Sequence, residues 1–169
     1  METGIRVLTT ADAAAFRSLR IEALRRHRSL RCLGRGRRAH RCRRLRRRHA
    51  EAGAGCDLRR LRGDALVGMA GFFAHRPAKV RHKGAIWGVY VQAAARGQGI
   101  AGRLMQRAIA QARSAGLERL LLTVTVGNAA AQALYGRLGF LPYGIEQAAL
   151  RLPDGRRIDE ELRALDLRG

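Results

Sequence analysis

Hydrophobic positions change their period several times along the chain, and each change predicts an element. Gly4 to Thr9, with Ile5, Val7 and Leu8 apolar, reads as a first strand. Thr10-Ala11-Asp12 offers a helix cap, and Ala13 to Arg26 follows with Phe16, Leu19, Ile21 and Leu24 on one helical face. From His27 to Arg62 there is no clean period of either kind. Ala65 to Ala74 predicts a strand through Leu66, Val67, Met69, Phe72 and Phe73. Arg76 to Lys83, containing Pro77, reads as a polar hairpin connection, and Gly84 to Val91 as the next strand. Leu104, Met105, Ala108, Ile109 and Ala112 repeat at helical spacing within Gly102 to Ser114, and Gly116 ends that helix. Leu117 to Val126 is so densely apolar that a strand buried on both faces is expected. Asn128 caps a short helix, Ala129 to Leu138, stopped by Gly139. Phe140 to Leu150 and Ile158 to Leu167 predict two closing strands joined by the turn Pro153-Asp154-Gly155. The order predicts a mixed α/β layer with helices packed on a sheet.

Length adds that the 169 residues fit one domain, 1–169, with a sizeable core. No apolar run is long enough to span a membrane, and the N-terminus lacks the layout of a signal peptide. A cytoplasmic, enzyme-sized domain is expected, acting as a monomer or homodimer. The net charge of +21 ordinarily implies a polyanionic partner. Its distribution changes that picture. Only Lys79 and Lys83 among the 34 basic residues are lysines. Between Arg25 and Arg62 stand 16 arginines against Glu51 and Asp57, a local balance of +14, while the rest carries +7. Cys32, Cys42 and Cys56 lie in the same stretch, as do His40 and His49, and their spacing does not suit zinc.

Three readings compete for residues 28–62: a solvated arm, a nucleic-acid-binding arm, and a shifted reading frame. Encoded CTT-CGG-TGC-CTC, Leu30-Arg31-Cys32-Leu33 read one base later becomes Phe-Gly-Ala-Ser, and Arg28-Ser29 as CGA-AGC becomes Glu-Ala. Leu58 to Arg62 in the same frame becomes Phe-Gly-Ala-Phe, a strand poised to form a hairpin with the one after Asp64. A paired frameshift in a GC-rich gene explains the replacement of Lys, Glu and Ser by Arg, Cys and Gly. It is preferred to a functional arm, and nucleic acid is disfavoured as a partner.

The stretch from Val89 to Met105 carries the chemistry: strand, glycine-rich turn, helix. Free amides and the dipole at that helix start suit an anion, so a phosphate-bearing ligand is expected. Gly97-Gln98-Gly99-Ile100-Ala101-Gly102 formally matches G-x-G-x-x-G. A dinucleotide site requires an acidic residue closing the next strand, and here Thr125-Val126-Gly127-Asn128 supplies none.

A closer match is Arg96-x-x-Gly99-x-Ala101 after Val89-Tyr90-Val91. It resembles the acyl-coenzyme A signature of the GNAT N-acetyltransferase superfamily. Asn128 to Phe140, an Asn opening a helix that ends Tyr135-Gly136-Arg137-Leu138-Gly139-Phe140, resembles that family's second signature. The likeness runs from Asp64 to about Leu167 and includes the first strand and helix. It implies a GNAT-like acyl-CoA acyltransferase fold, a central, mostly antiparallel sheet flanked by helices, and acetyl-CoA as cosubstrate without a metal. By the same resemblance the pyrophosphate would rest on the amides of Arg96, Gly97, Gln98, Gly99, Ile100, Ala101 and Gly102, with charge added by Arg96 and Arg103. Val89 and Val91 would bond the pantetheine arm, Asn128 would touch the cofactor, and Tyr135 would be the general acid for the departing thiolate. The family usually carries Pro where Ala93 stands.

Plain structural roles remain open beside these. Val89 and Val91 suit a core strand, Asn128 a cap, and Tyr135 a packed ring on the face Ala131-Leu134-Leu138. Glu146 and His75 are the candidates for a general base near the expected cleft, with His82 and Glu118 more peripheral. The implied activity is acetyl transfer from acetyl-CoA to a primary amine of a small molecule or protein. The alternatives are a nucleic-acid-binding protein using the Arg-rich segment, or a catalytically damaged acetyl-CoA-binding homologue. The nucleotide sequence across codons His27 to Gly63 separates the origins of the segment. Two compensating slips are expected there, and an uninterrupted frame would sink that reading.

Overall fold

The computed structural model describes residues 4–26, 57–62 and 65–168, with Arg26 and 57–62 described by backbone alone. Among the described residues the strands are β1 (Ile5–Val7), β2 (Asp57–Arg62), β3 (Ala65–Ala74), β4 (Lys83–Val91), β5 (Arg119–Thr125), β6 (Leu141–Arg151) and β7 (Arg157–Asp166). Among the described residues the α-helices are α1 (Ala13–Arg26), α2 (Ile100–Ser114) and α3 (Ala129–Arg137), which with the sheet give a mixed α/β layer. One sheet runs β1-β2-β3-β4-β5-β7-β6, antiparallel throughout except where β4 meets β5.

Local chemistry explains most boundaries. Helix α1 is entered through a turn at Thr10–Asp12, the stretch expected to cap it, with Thr9 as the N-cap of that turn and Asp12 closing a capping box onto Thr9. The Asp12 carboxylate reaches back to the Thr9 N–H at 2.8 Å and hydroxyl at 3.0 Å, and takes Arg6 Nη1 at 2.9 Å. Burial works against ionisation there, yet the Thr9 bonds and Arg6 outweigh it and hold the carboxyl below its ordinary range. Gly116 (φ 74°) and Gly139 (φ 87°) take left-handed conformations just past α2 and α3, as helix-stop glycines do. The closing turn holds Gly155 at φ 86°.

Two cores sandwich the sheet. On one face α2 and α3 lay Ile100, Leu104, Met105, Ala108 and Tyr135 over Val67, Phe72, Ile86, Leu120, Leu122 and Val124. On the other, Leu19 and Ala23 of α1 meet Leu66, Met69 and Tyr90. The expectation that residues 117–126 are buried on both faces does not hold. Leu120, Leu122 and Val124 are buried, whereas Arg119 and Thr123 are exposed. Among the described residues the helices cover only one face of β5, so its apolar density overstated its burial. Residues 58–62 do form the hairpin strand anticipated from the shifted frame: Leu58 stands opposite Ala70 and Arg62 opposite Ala65. The strand is formed by Asp57 to Arg62 as they stand, so its pairing does not bear on the reading frame of residues 28–62, of which 28–56 lie outside the described residues.

The parallel junction is short and tight. Only Lys83, Gly84 and Ala85 pair with Arg119, Leu120 and Leu121. A Cβ on Gly84 would sit 2.7 Å from Leu117 Cδ1 and 2.8 Å from the Phe73 carbonyl oxygen. The second of these is backbone and cannot swing aside. Gly84→Ala is expected to lower stability in urea by about 1–3 kcal/mol, the usual cost of overpacking. A loss below about 0.5 kcal/mol, typical of an unconstrained surface position, would show that the junction is not tight.

Candidate active site

Beyond Ala85 and Leu121 the two parallel strands separate. β4 stays paired to β3 as far as Val91, and β5 to β7 as far as Thr125. A wedge therefore opens between Ile86–Val91 and Leu122–Thr125, and each side presents backbone that its neighbour does not bond. A bulge lies on the β4 side: Gly88 (φ 66°) and Val89 together stand opposite Ala70. Bulges bend a strand and sharpen its twist, and this one lies where β4 leaves β5.

Both strands run toward the open end of the wedge, and each feeds a helix there. After β4 the chain turns through Ala93–Ala95 and the glycines, then enters α2. Gly97 (φ 77°) and Gly99 (φ 68°) are left-handed, and Gly99 is the N-cap. A Cβ at either would meet nothing within 4 Å, so the backbone faces open space. No side chain caps α2 and its first turn holds no acidic residue. The first N–H groups of a helix lack intrahelical acceptors and carry the positive end of its dipole, so an anion is the natural complement. Gly97, Gln98 and Gly99 are exposed, Ala101 and Gly102 half-buried, and Ile100 is a core anchor.

The flanking cations are held close. Arg103 Nη2 donates to the Gln98 carbonyl at 3.0 Å, which keeps its charge over the turn. Arg96 folds back: its Nε donates to the Val91 carbonyl at 3.1 Å and its guanidinium lies 6.0 Å from the Tyr90 ring centroid. Gln92 N–H bonds Val67 O on β3, so the Val91 carbonyl points to the open edge, where Arg96 occupies it. A ligand bonding that carbonyl must share it with Arg96. Val91 is buried and Val89 half-buried against the α2 core.

The second helix brings Asn128 and Tyr135. Asn128 Oδ1 accepts the Ala131 N–H at 3.3 Å, so the capping role is real. A Cβ on Gly102 would lie 3.8 Å from Leu134 Cδ1, so the first turn of α2 packs beside α3. Tyr135 is buried and meets Phe140 edge-on, centroids 6.1 Å apart. Burial pushes its phenol up to about 12, leaving it protonated at neutral pH.

The candidate bases separate. His75 does not lie at the cleft: its N–H bonds the Lys83 carbonyl, at the closed end of the wedge. At about 3.3 Å per residue it is roughly 20 Å from the level of Val89. His82 and Glu118 share that end, where the Glu118 N–H meets the His82 carbonyl at 2.8 Å. Glu146 is level with the open end but stands two strands from Thr125, about 10 Å across the sheet. Sequence reasoning missed Glu160, 3% exposed and in register between Thr125 and Glu146. The alternation Ile158, Glu160, Leu162, Ala164 was the signal that places it inward. It also missed Glu22 of α1, which accepts the Tyr90 hydroxyl at 2.9 Å and Gln92 Nε2 at 3.0 Å and so ties α1 to the end of β4. Among the described residues no group of His, Cys, Asp and Glu is arranged to hold a metal, and no helix is long and apolar enough to cross a membrane.

Residues 21–140 match the model of the acetyltransferase (GNAT) family. The chain belongs to that family, and the fold is the one seen in its solved structures. A ribosomal-protein-alanine N-acetyltransferase from Brucella melitensis is 27% identical, with 96% of this chain and 99% of that chain covered and a TM-score of 0.81. An N-acetyltransferase from Staphylococcus aureus Mu50 is 21% identical over 99% of this chain and 100% of that one, TM-score 0.84. The yncA protein of Salmonella typhimurium, solved with its cofactor acetyl-CoA, is 24% identical over 100% and 96%, TM-score 0.83. No curated protein matches the sequence.

The raised phenol has a consequence for stability. The folded state prefers neutral Tyr135, a preference fully present below the unfolded value near 10 and lost as pH rises to about 12. Denaturant titrations between pH 10 and 12 are expected to show a shallower loss of stability for Tyr135→Phe than for the parent chain. Parallel slopes would mean that the phenol is solvated.

Proposed function

We propose that the chain transfers the acetyl group of acetyl-CoA to a primary amine of a small molecule or protein. The observation that carries this reading is the wedge opening directly onto an uncapped, acid-free helix start with two left-handed glycines. A diphosphate fits the amides from Arg96 to Gly102, with Arg103 beside them, and a narrow arm fits between the separated strands. On this reading Val89, and Val91 where Arg96 yields, bond that arm as a missing strand would. A backbone N–H of the bulged segment stabilises the oxygen that becomes negative when the amine attacks the thioester carbonyl. Asn128 contacts the cosubstrate in addition to capping α3.

Tyr135 is the proton donor to the departing sulfur. A phenol at about 12 holds its proton firmly. Handing it outright to a thiolate of ordinary pKa near 8.5 is uphill by about 5 kcal/mol. The proton therefore moves as the carbon–sulfur bond breaks, and the attacking nitrogen, which must shed protons to become an amide, restores the phenol. General-acid contributions of this kind are typically worth about 10²–10⁴-fold.

Calorimetric titration with acetyl-CoA, followed by a thiol-release assay over an amine panel, tests the proposal. The panel includes peptides with N-terminal alanine, the acceptor class named for the Brucella relative. Saturable acetyl-CoA binding and release of free thiol with at least one amine are expected. Tyr135→Phe is expected to lower kcat by about 10²-fold or more with cosubstrate affinity unchanged. Absence of acetyl-CoA binding at millimolar concentration would refute the reading.

A further inference from the structure

On the face of β7 that α3 covers, Glu161 and Arg163 form an ion pair whose side chains are only 17% and 11% exposed. Arg163 Nε donates to Glu161 Oε1. Its Nη1 donates to two carbonyls, Gln132 at 3.1 Å and Phe140 at 3.3 Å. Glu161 Oε2 in turn accepts Gln132 Nε2 at 3.4 Å. Gln132 precedes Tyr135 by one helical turn, and Phe140 is the residue whose ring packs against it. The Phe140 N–H also donates to the Tyr135 carbonyl at 3.0 Å. One guanidinium thus holds the chain on both sides of Tyr135 and fixes it to β7, the partner strand of β5.

Burying an ion pair costs desolvation that its attraction barely returns, and an apolar pair of similar volume usually stabilises as well or better. The planar fork of arginine does what an apolar pair cannot: it bonds a carboxylate and two carbonyls at fixed angles. We propose that Arg163, oriented by Glu161, is a positioning residue that sets Tyr135 against the wedge. The inference rests on the reading of Tyr135 as proton donor.

A double-mutant cycle tests it, with the phenol titration as an independent readout. Arg163→Gln is expected to lower kcat about tenfold with the KM for acetyl-CoA unchanged, and to cost nothing further in a Tyr135→Phe background. The tyrosinate transition of Tyr135, isolated as the difference between chains with and without Tyr135→Phe, is expected to fall from about 12 toward 10 as the ring leaves its buried slot. Glu161→Gln, which keeps the shape, is expected to give the same pattern more weakly and serves if Arg163→Gln does not fold. Additive losses of kcat, or an unmoved Tyr135 transition in both variants, would overturn the inference. Full activity in Tyr135→Phe would instead overturn its role as proton donor. A lowered Tyr135 transition in Arg163→Gln would then still establish the positioning.

Discussion

Two parallel strands that bond over three residue pairs and then part are the constraint on which the rest of this molecule depends. Had β4 and β5 stayed paired, the sheet would be continuous and closed. Their separation leaves strand backbone without its usual partner in the middle of a protein, a condition that folded chains normally avoid. It is tolerable because one side is bent by the bulge at Gly88 and Val89, and because the Val91 carbonyl finds Arg96. The other strand is secured from behind by full pairing with β7. The anchoring therefore lies on the outer sides of the two strands, and the inner sides are left for chemistry.

Both helix starts at the open end follow from this arrangement. Parallel strands deliver their connections to the same edge, so α2 and α3 both begin at the open end, α2 without a side-chain cap and α3 capped by Asn128. Glycine serves two purposes there. At Gly97 and Gly99 it permits left-handed turns and leaves open space above the backbone. At Gly84, at the opposite end, it allows a packing so close that a methyl group would collide with the Phe73 carbonyl.

Much of this was legible in the sequence, for identifiable reasons. The spans of α1 and β3 followed from periodicity, and the ends of α2 and α3 from Gly116 and Gly139. The glycine turn and Asn128 announced themselves because special backbone geometry demands few residue types. The wedge was not legible, since nothing in Ile86 to Val91 or Leu122 to Thr125 marks a strand that loses its neighbour. Glu160 was hidden among the charged residues of a strand dismissed as a closing element. The Gln132–Glu161–Arg163 network joins positions some thirty residues apart, and only pairing register reveals it. His75 was expected near the cleft, but the hairpin register pairs it with Lys83 at the closed end, which the sequence alone does not reveal. The density of Leu120 to Val126 misled because apolar composition reports what a strand can bury, not what lies on top of it.

The short junction between β4 and β5 also divides the sheet mechanically. On one side lie β1 to β4, on the other β5, β7 and β6, and within the sheet three residue pairs join them. The angle between these two blocks sets the width of the aperture. That angle is set partly at the junction, where Gly84 lies so close to Leu117 that an added methyl group would force the two strands to shift. The helices bridge the gap from one face, since a single core joins Val67, Phe72 and Ile86 of one block to Leu120, Leu122 and Val124 of the other, so the aperture is a break in the hydrogen bonding of the sheet and not in its packing.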